Sequence, residues 1–312
     1  MRVVFMATGE IAGPTFEWLL TSGHEITGVV TQPDKPVGRK QVMSSPQMKL
    51  TAERAGLSVI QPEKVGAEES LKQIRQWEPE VIVVMAYGQI LPQALLEIPE
   101  VAIINLHASL LPKYRGAACI QAPLREGDRE SGWSVIYVEK KLDAGNVIHR
   151  LVTPIRPGET GGELHDRLAE LAPEALQQAL ERLEVTPSLA GEAQDEDAVT
   201  YVPKLSRQDG KLDWKKSAEE LERLVRAYDP WPGTFTTLEG RRLKIFPPTV
   251  VIEGSGVPGT CRIDEQGLTV YTGEGALLLS DLQADGKKRM TARDYAHGRA
   301  ESLTKGFGLS KS

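Results

Sequence analysis

The sequence predicts an α/β protein in two parts, a parallel sheet covered by helices and then a smaller antiparallel barrel or sandwich. Three observations predict it. Strand-length apolar runs alternate with helix-length amphipathic stretches over the first two thirds of the chain. Those runs, "EVIVVMAYG" and "VAIINLHAS" among them, are apolar on both faces, as strands buried in a parallel sheet are. Later the runs shorten and are spaced by glycines, the pattern of antiparallel hairpins. A chain of 312 residues is long for one domain and suits two. The expected boundaries are 1–189 for the first domain, 190–206 for a linker and 207–312 for the second.

In order along the chain, "RVVFMAT" reads as a buried strand, "GE" as a turn and "IAGPTFEWLLTSG" as a helix ended by Gly23. "HEITGVVTQ" is the second strand. "SSPQMKLTAERAG" reads as a helix with Ser44 or Ser45 as its cap and Gly56 as its terminator. "LSVIQP" is a strand, and "EESLKQIRQWEP" carries apolar residues at helical spacing. "GWSVIYVEKKLDAG" and "VIHRLVTPI" return to strand character, and "TGGELHDRLAELAPEALQQALERL" is a long amphipathic helix. "AGEAQDEDAVTYVPKLSRQDG" is polar, acidic and interrupted, hence the linker. Beyond it lie one helix, "SAEELERLVRAY", and the glycine-spaced strands.

Composition narrows the function. A hydrophobic content of 40% and a charged content of 26% describe an ordinary soluble protein. No run approaches the ~20 apolar residues of a membrane span, and "MRVVFMATGE" is too short and too polar afterwards for a signal peptide. A cytoplasmic location is expected. Cys119 and Cys261 match no metal or disulfide spacing, so reduced thiols and no metal are expected. The loop after the first strand, "ATGEIAG", is not G-x-G-x-x-G, which disfavours a nicotinamide dehydrogenase. Residues 1–199 hold 19 Lys and Arg against 28 Asp and Glu, and residues 200–312 hold 18 against 15. The net charge of −6 therefore divides into −9 and +3, and the basic C-terminal third permits a polyanion partner.

Chemistry concentrates in "NLHASLLPKYRG", residues 105–116. Ligands of parallel sheets bind at the carboxyl ends of the strands. Asn105 and His107, two apart, share a face there, and an amide donor beside an imidazole suits a developing oxyanion and a moving proton. The plainer reading is that both groups satisfy backbone at a strand end. Asp143, in "KKLDAGNVI", reads either as turn chemistry before a glycine or as a carboxylate that orients the His107 ring and favours its charged form. His24, His149, His165 and His297 read as structural or surface residues.

"NLHASLLPKYRGAA" followed by "LDAG" resembles the signature of the 10-formyltetrahydrofolate-dependent formyltransferases, in order and in spacing. The resemblance covers essentially the whole chain. It implies a Rossmann-like catalytic domain followed by an OB-like β-barrel domain, with Asn105, His107 and Asp143 as the catalytic residues. It implies a folate site along Ser109, Leu110, Leu111 and Pro112, with Tyr87, Gly88, Ile90 and Leu91 at its edge. Lys113 and Arg115 read either as cations that meet folate glutamate or tRNA phosphate or as a solvated loop, Tyr114 as a packing residue and Gly116 as the residue of a tight turn. "TQPDKPVGRK", "RLVRAYDPWPGTFTTLEGRRLKI" and "LLLSDLQADGKKRM" resemble the branch whose acceptor is methionine on initiator tRNA. That branch implies tRNA contacts from Lys35, Arg39 and Lys40 and from Arg241, Arg242, Lys287, Lys288 and Arg289, with Lys244 in the same basic set and residues 35–45 mobile until tRNA binds. In "DPWPG", Trp231 is expected to pack against the barrel. The implied reaction is formyl transfer from 10-formyltetrahydrofolate to the α-amino group of methionyl initiator tRNA by a monomer without metal. The sequence departs from the family pattern at Ala7-Thr8-Gly9, Cys119, Asn146 and Trp133, the last a ring large enough to narrow the site.

Two other readings compete. A formyltransferase for an amino sugar or small molecule, or a hydrolase, would keep the three residues but has no use for the basic C-terminal part and the "QPDKPVGRK" loop. A non-catalytic tRNA-binding protein of the same fold has no use for Asn105, His107 and Asp143 together.

Overall fold

In the computed structural model, which describes residues 1–38 and 41–308, the apolar runs of the first half become β1 (Arg2–Ala7) and β2 (Glu25–Val30). A hairpin of β3 (Lys35–Val37) and β4 (Val42–Ser44) follows, and then β5 (Val59–Ile60), β6 (Val81–Met85) and β7 (Ala102–His107). β8 (Arg115–Gly116), β9 (Glu130–Tyr137) and β10 (Val147–Pro154) come next. One sheet runs in the order β10-β9-β7-β6-β1-β2-β5. The five strands from β5 to β7 are parallel, and β9 lies antiparallel to β7.

Helices α1 (Gly13–Thr21), α2 (Gln47–Arg54), α3 (Glu68–Gln76) and α4 (Gln93–Leu96) punctuate the strands. The core beside β1 and β6 holds Val4, Met6, Ile82 and Val84, with Ile74 and Trp77 from the α3 end packed on them. Burial of such side chains contributes roughly 1.5–3 kcal/mol each, enough to fix the strand ends on which any site must stand. At the end of β1, Gly9 runs so close to Ala86 that a Cβ would stand 2.9 Å from the alanine's, and Gly9 N–H donates to Ala86 O (3.2 Å).

Two local expectations change. The α2 cap is Pro46, not Ser44 or Ser45; the Ser45 hydroxyl donates to Asp34 (2.9 Å) instead, and the proline has no N–H to satisfy. Within residues 35–45, expected to be mobile until tRNA binds, β3 and β4 pair, with Lys35 opposite Ser44. The stretch 190–202 of the expected linker folds onto the first compact unit, which takes in 1–119, 131–153 and 165–202. Its β11 (Tyr201–Val202) pairs in parallel with β8. The acidic composition that reads as solvated chain meets cations there: Glu192 bonds Arg150 (2.8 Å), and Glu196 bonds Arg115 (2.8 Å) and Lys141.

The second unit takes in 120–130, 154–164 and the chain from Pro203 onward. α5 (Gln121–Glu126) belongs to it, and α6 (Gly161–Val185) begins in it and continues into the first unit. α7 (Ala218–Ala227) starts at a capping box of Ser217 and Glu220. The strands are β12 (Thr234–Leu238), β13 (Arg241–Ile252), β14 (Cys261–Asp264), β15 (Gly267–Tyr271), β16 (Ala276–Ala284) and the short β17 (Met290–Thr291). They form an antiparallel sheet in the order β12-β13-β16-β15-β14, with β17 beside β16. Its core joins Leu243, Ile245, Val270 and Leu277 to Leu221 and Val225 of α7. Two short helices, α8 (Ala292–Ala296) and α9 (Ala300–Thr304), add Tyr295 and Leu303, and Phe307 stacks on Trp214 at 5.8 Å. No helix among the described residues is long and apolar enough to cross a membrane.

Candidate active site

β7 carries Asn105 and His107 to the carboxyl end of the parallel strands, where alternation puts both on one face. The Asn105 amide is partly exposed and bonds no protein group among the described residues. His107 is 5% exposed, and its Nε2 faces the Tyr114 carbonyl at 2.9 Å. A carbonyl only accepts, so Nε2 carries a proton. Nδ1 stands 3.7 Å from Asp143 Oδ2, beyond hydrogen-bond distance. Asp143 does not bond within its own turn. Its Oδ2 accepts the Gly116 N–H (2.8 Å), which holds the carboxylate toward the ring.

Burial alone would depress the His107 pKa, and it is the largest single influence. Cys119 beside the ring, the Asp143 carboxylate and the Tyr114 carbonyl act the other way and raise it to about 9. An imidazolium at neutral pH follows. Cys119, which stands where the family pattern has proline, thus abuts the key ring, a role that spacing along the chain does not reveal. Asn146, another departure, donates its amide to Ala190 O (2.8 Å).

The remaining expectations divide. Ser109 Oγ donates to Lys113 O (2.8 Å), and Ser134 Oγ, which accepts from Leu111 N–H (3.0 Å), donates to Ser109 O (2.7 Å), fixing the 109–113 turn against β9. Leu111 packs with Ile136 and Val147, and the Tyr87 ring lies in the core beside β6. Ile90 is 92% exposed, while Leu91 packs partly on that core. Trp133 does not narrow the site: it is fully buried, on the β9 face opposite Ser134, and its Nε1 donates to Leu168 O of α6 (2.8 Å).

Arg115 is corrected. Its side chain is fully buried and bonds Gln194, Glu196 and Tyr201, so it is spent on structure and meets no phosphate. The neighbouring Gly116 has φ +112°, and a Cβ there would stand 2.4 Å from Val202 O of β11. Gly116→Ala is expected to cost about 2–3 kcal/mol, lowering the thermal midpoint by roughly 5–10 °C; scanning calorimetry checks it.

Of the basic residues, Arg39 and Lys40 lie outside the described residues, and Lys35 is exposed on β3. In the second unit, Leu238 pairs with Arg241 and Leu243 with Ala284, and Lys287 N–H donates to Ala284 O (3.0 Å). The ladder thereby brings "GRR" and "GKKR", some 45 residues apart, to one end of the β13–β16 pair. Arg241, Lys287 and Lys288 are exposed there. Arg242 lies over the Phe235 ring at 3.6 Å, and Arg289 over Phe246 at 4.4 Å with an ion pair to Asp281 (2.7 Å). Trp231 does not pack as expected: it is half exposed, with Arg207 over its ring at 5.9 Å. Of the other histidines, His24 lies 3.5 Å from Glu184 and His165 2.9 Å from Asp166. No cluster of three or more metal-ligating side chains stands among the described residues.

The family model described as formyl transferase matches residues 1–180, and that described as formyl transferase, C-terminal domain, matches 204–300. A methionyl-tRNA formyltransferase of Akkermansia muciniphila is 46% identical over 305 residues, with 96% of each chain covered. Among solved structures, an N-formyltransferase from Helicobacter canadensis in complex with folinic acid and dTDP-3-aminofucose has a TM-score of 0.65 at 16% identity, covering 89% of this chain and 99% of that one. HypX from Aquifex aeolicus in complex with tetrahydrofolic acid has a TM-score of 0.62 at 18% identity, covering 97% of this chain and 47% of the other. The two solved structures share the fold; the domain models and the close relative go further, and together they show that the chain belongs to the formyl transferase family, in the branch of the methionyl-tRNA formyltransferases.

Proposed function

We propose that this chain transfers the formyl group of 10-formyltetrahydrofolate to the α-amino group of methionine esterified to initiator tRNA. The observation that carries the reading is the open Asn105 amide beside a His107 held between the Tyr114 carbonyl and Asp143, in a chain 46% identical to a methionyl-tRNA formyltransferase. As the neutral amine attacks, a nitrogen–carbon bond forms and charge gathers on the formyl oxygen. The Asn105 amide and the His107 Nδ1 proton donate to that oxygen; one such donor contributes roughly 10²–10³ in rate. Collapse breaks the bond from carbon to folate N10, which takes up a proton while the amine gives one up. Asp143 keeps His107 charged and receives the amine's proton through water.

The folate lies along the 109–112 turn and the edge at Gly88, Ile90 and Leu91. The first compact unit, with residues 190–202 in it, is the catalytic domain, and the second is the tRNA-binding domain of a cytoplasmic monomer. Lys35, Arg39 and Lys40 serve the acceptor stem, and Arg241, Arg242, Lys287, Lys288 and Arg289 are further tRNA contacts. The decisive assay offers methionyl-tRNA, a UDP-amino sugar and water together as acceptors for 10-formyltetrahydrofolate. Formylmethionyl-tRNA as the main product supports the reading; sugar formylation or bare folate release overturns the acceptor.

Replacing Lys287 and Lys288 with alanine is expected to raise the KM for methionyl-tRNA and to lower the salt slope of tRNA binding by about 2, leaving folate affinity unchanged. Titrations at several salt concentrations measure both.

A further inference from the structure

Asp143 holds a left-handed backbone conformation, φ +49°, which few residues other than glycine adopt because the side chain crowds the following carbonyl, aspartate tolerating it better than most. Its own loop supplies little restraint beyond one bond from Ala144 N–H to Lys141 O (3.3 Å). The restraint comes from the stretch that reads as a linker. The Gln194 Nε2 amide donates to both Asp143 O and Gly145 O, each at 2.8 Å. Its Oε1 accepts from Arg115 Nε (3.1 Å) and Nη2 (2.8 Å), so amide orientation is set by the guanidinium, which only donates. Arg115 is in turn buried and held by Glu196, which also bonds Lys141 at the start of the loop.

These bonds close a ring. The Asp143 carboxylate accepts from Gly116 N–H, the preceding residue of β8 is Arg115, and Arg115 returns through Gln194 to the Asp143 carbonyl. Both the side chain and the backbone of the aspartate are thus tied to the same two residues of β8.

We propose that Gln194 is a positioning residue for formyl transfer, holding Asp143 in the loop conformation from which its carboxylate faces His107. The proposal rests on the catalytic reading of Asp143 given above. A surface-exposed acidic strap, rather than an element of the parallel sheet, then sets the geometry of the reacting groups. Gln194 touches no reacting atom, so its effect falls on turnover and not on substrate binding.

The test compares Gln194→Glu, Gln194→Ala and Asp143→Asn in steady-state formyl transfer to methionyl-tRNA, with pH profiles and thermal midpoints. Gln194→Glu keeps an acceptor for Arg115 but loses both donors and sets a charge against two carbonyls. Its kcat is expected to fall about 10- to 50-fold, both KM values staying within about twofold, and the alkaline limb of the profile moving to lower pH. Gln194→Ala should show the same pattern, with a lower thermal midpoint. A wild-type kcat and pH profile in both Gln194 variants, with Asp143→Asn inactive, overturns the proposal. So does a lowered thermal midpoint with an unmoved pH profile, which marks a merely structural glutamine. Full activity in Asp143→Asn overturns instead the reading of Asp143 on which the proposal stands.

Discussion

Replacement of His107 by alanine is expected to lower kcat for formyl transfer by about 10²–10³ and to leave folate affinity within about threefold of wild type. The ring lies at the end of β7 with Nε2 committed to the Tyr114 carbonyl and Nδ1 facing Asp143, so its loss removes a charged donor without touching the turn at 109–112. Because the ring is buried, the alanine variant also loses the His107–Tyr114 hydrogen bond and the packing of the ring, at a cost of about 1–3 kcal/mol. His107→Gln separates the two effects, since its amide reaches for the same carbonyl but carries no charge. A glutamine variant that restores thermal stability and remains slow assigns the loss to chemistry. Near-normal turnover in both variants removes His107 from the mechanism.

What the sequence made legible follows from where the signal lies. The parallel strands are written locally, as apolar runs that only a sheet covered on both sides can bury, and β1, β2, β6 and β7 fall where those runs fall. Asn105, His107 and Asp143 are legible through strand alternation and family spacing. The partners of His107 are not, because Tyr114 and Cys119 reach the ring through the fold of an irregular loop. Arg115 fails for a related reason: a cation in a polar loop reads as exposed, and only the acidic stretch that returns beside it reveals a buried ion pair. That stretch shows the converse error, since its acids and glutamine look like solvated linker until their cations and carbonyls stand opposite them. Trp133 is decided by the pleat, one residue from Ser134 and therefore on the other face of β9.

Asp143→Asn is expected to lower kcat at pH 7.5 by about 10²-fold and to change the shape of the pH profile. With Asp143 and Cys119 beside it, His107 has a pKa raised to about 9, above the ordinary 6.5. A folded-state value above the unfolded one means that the charged ring stabilises the fold fully below pH 6.5, and that this contribution is lost as pH rises through about 9. Activity that depends on the imidazolium follows the same window, so the wild-type profile should fall on its alkaline side near pH 9. The asparagine retains an acceptor for the Gly116 N–H but no charge, and one raising influence on His107 disappears. The alkaline limb should then move down toward the ordinary histidine range, and stability at pH 8 should drop more than stability at pH 6. Profiles of kcat/KM between pH 5.5 and 10, paired with thermal midpoints at the two ends, make the measurement. An alkaline limb unmoved by the substitution would mean that Asp143 does not govern the charge on His107, and that Cys119 and the Tyr114 carbonyl sustain it alone.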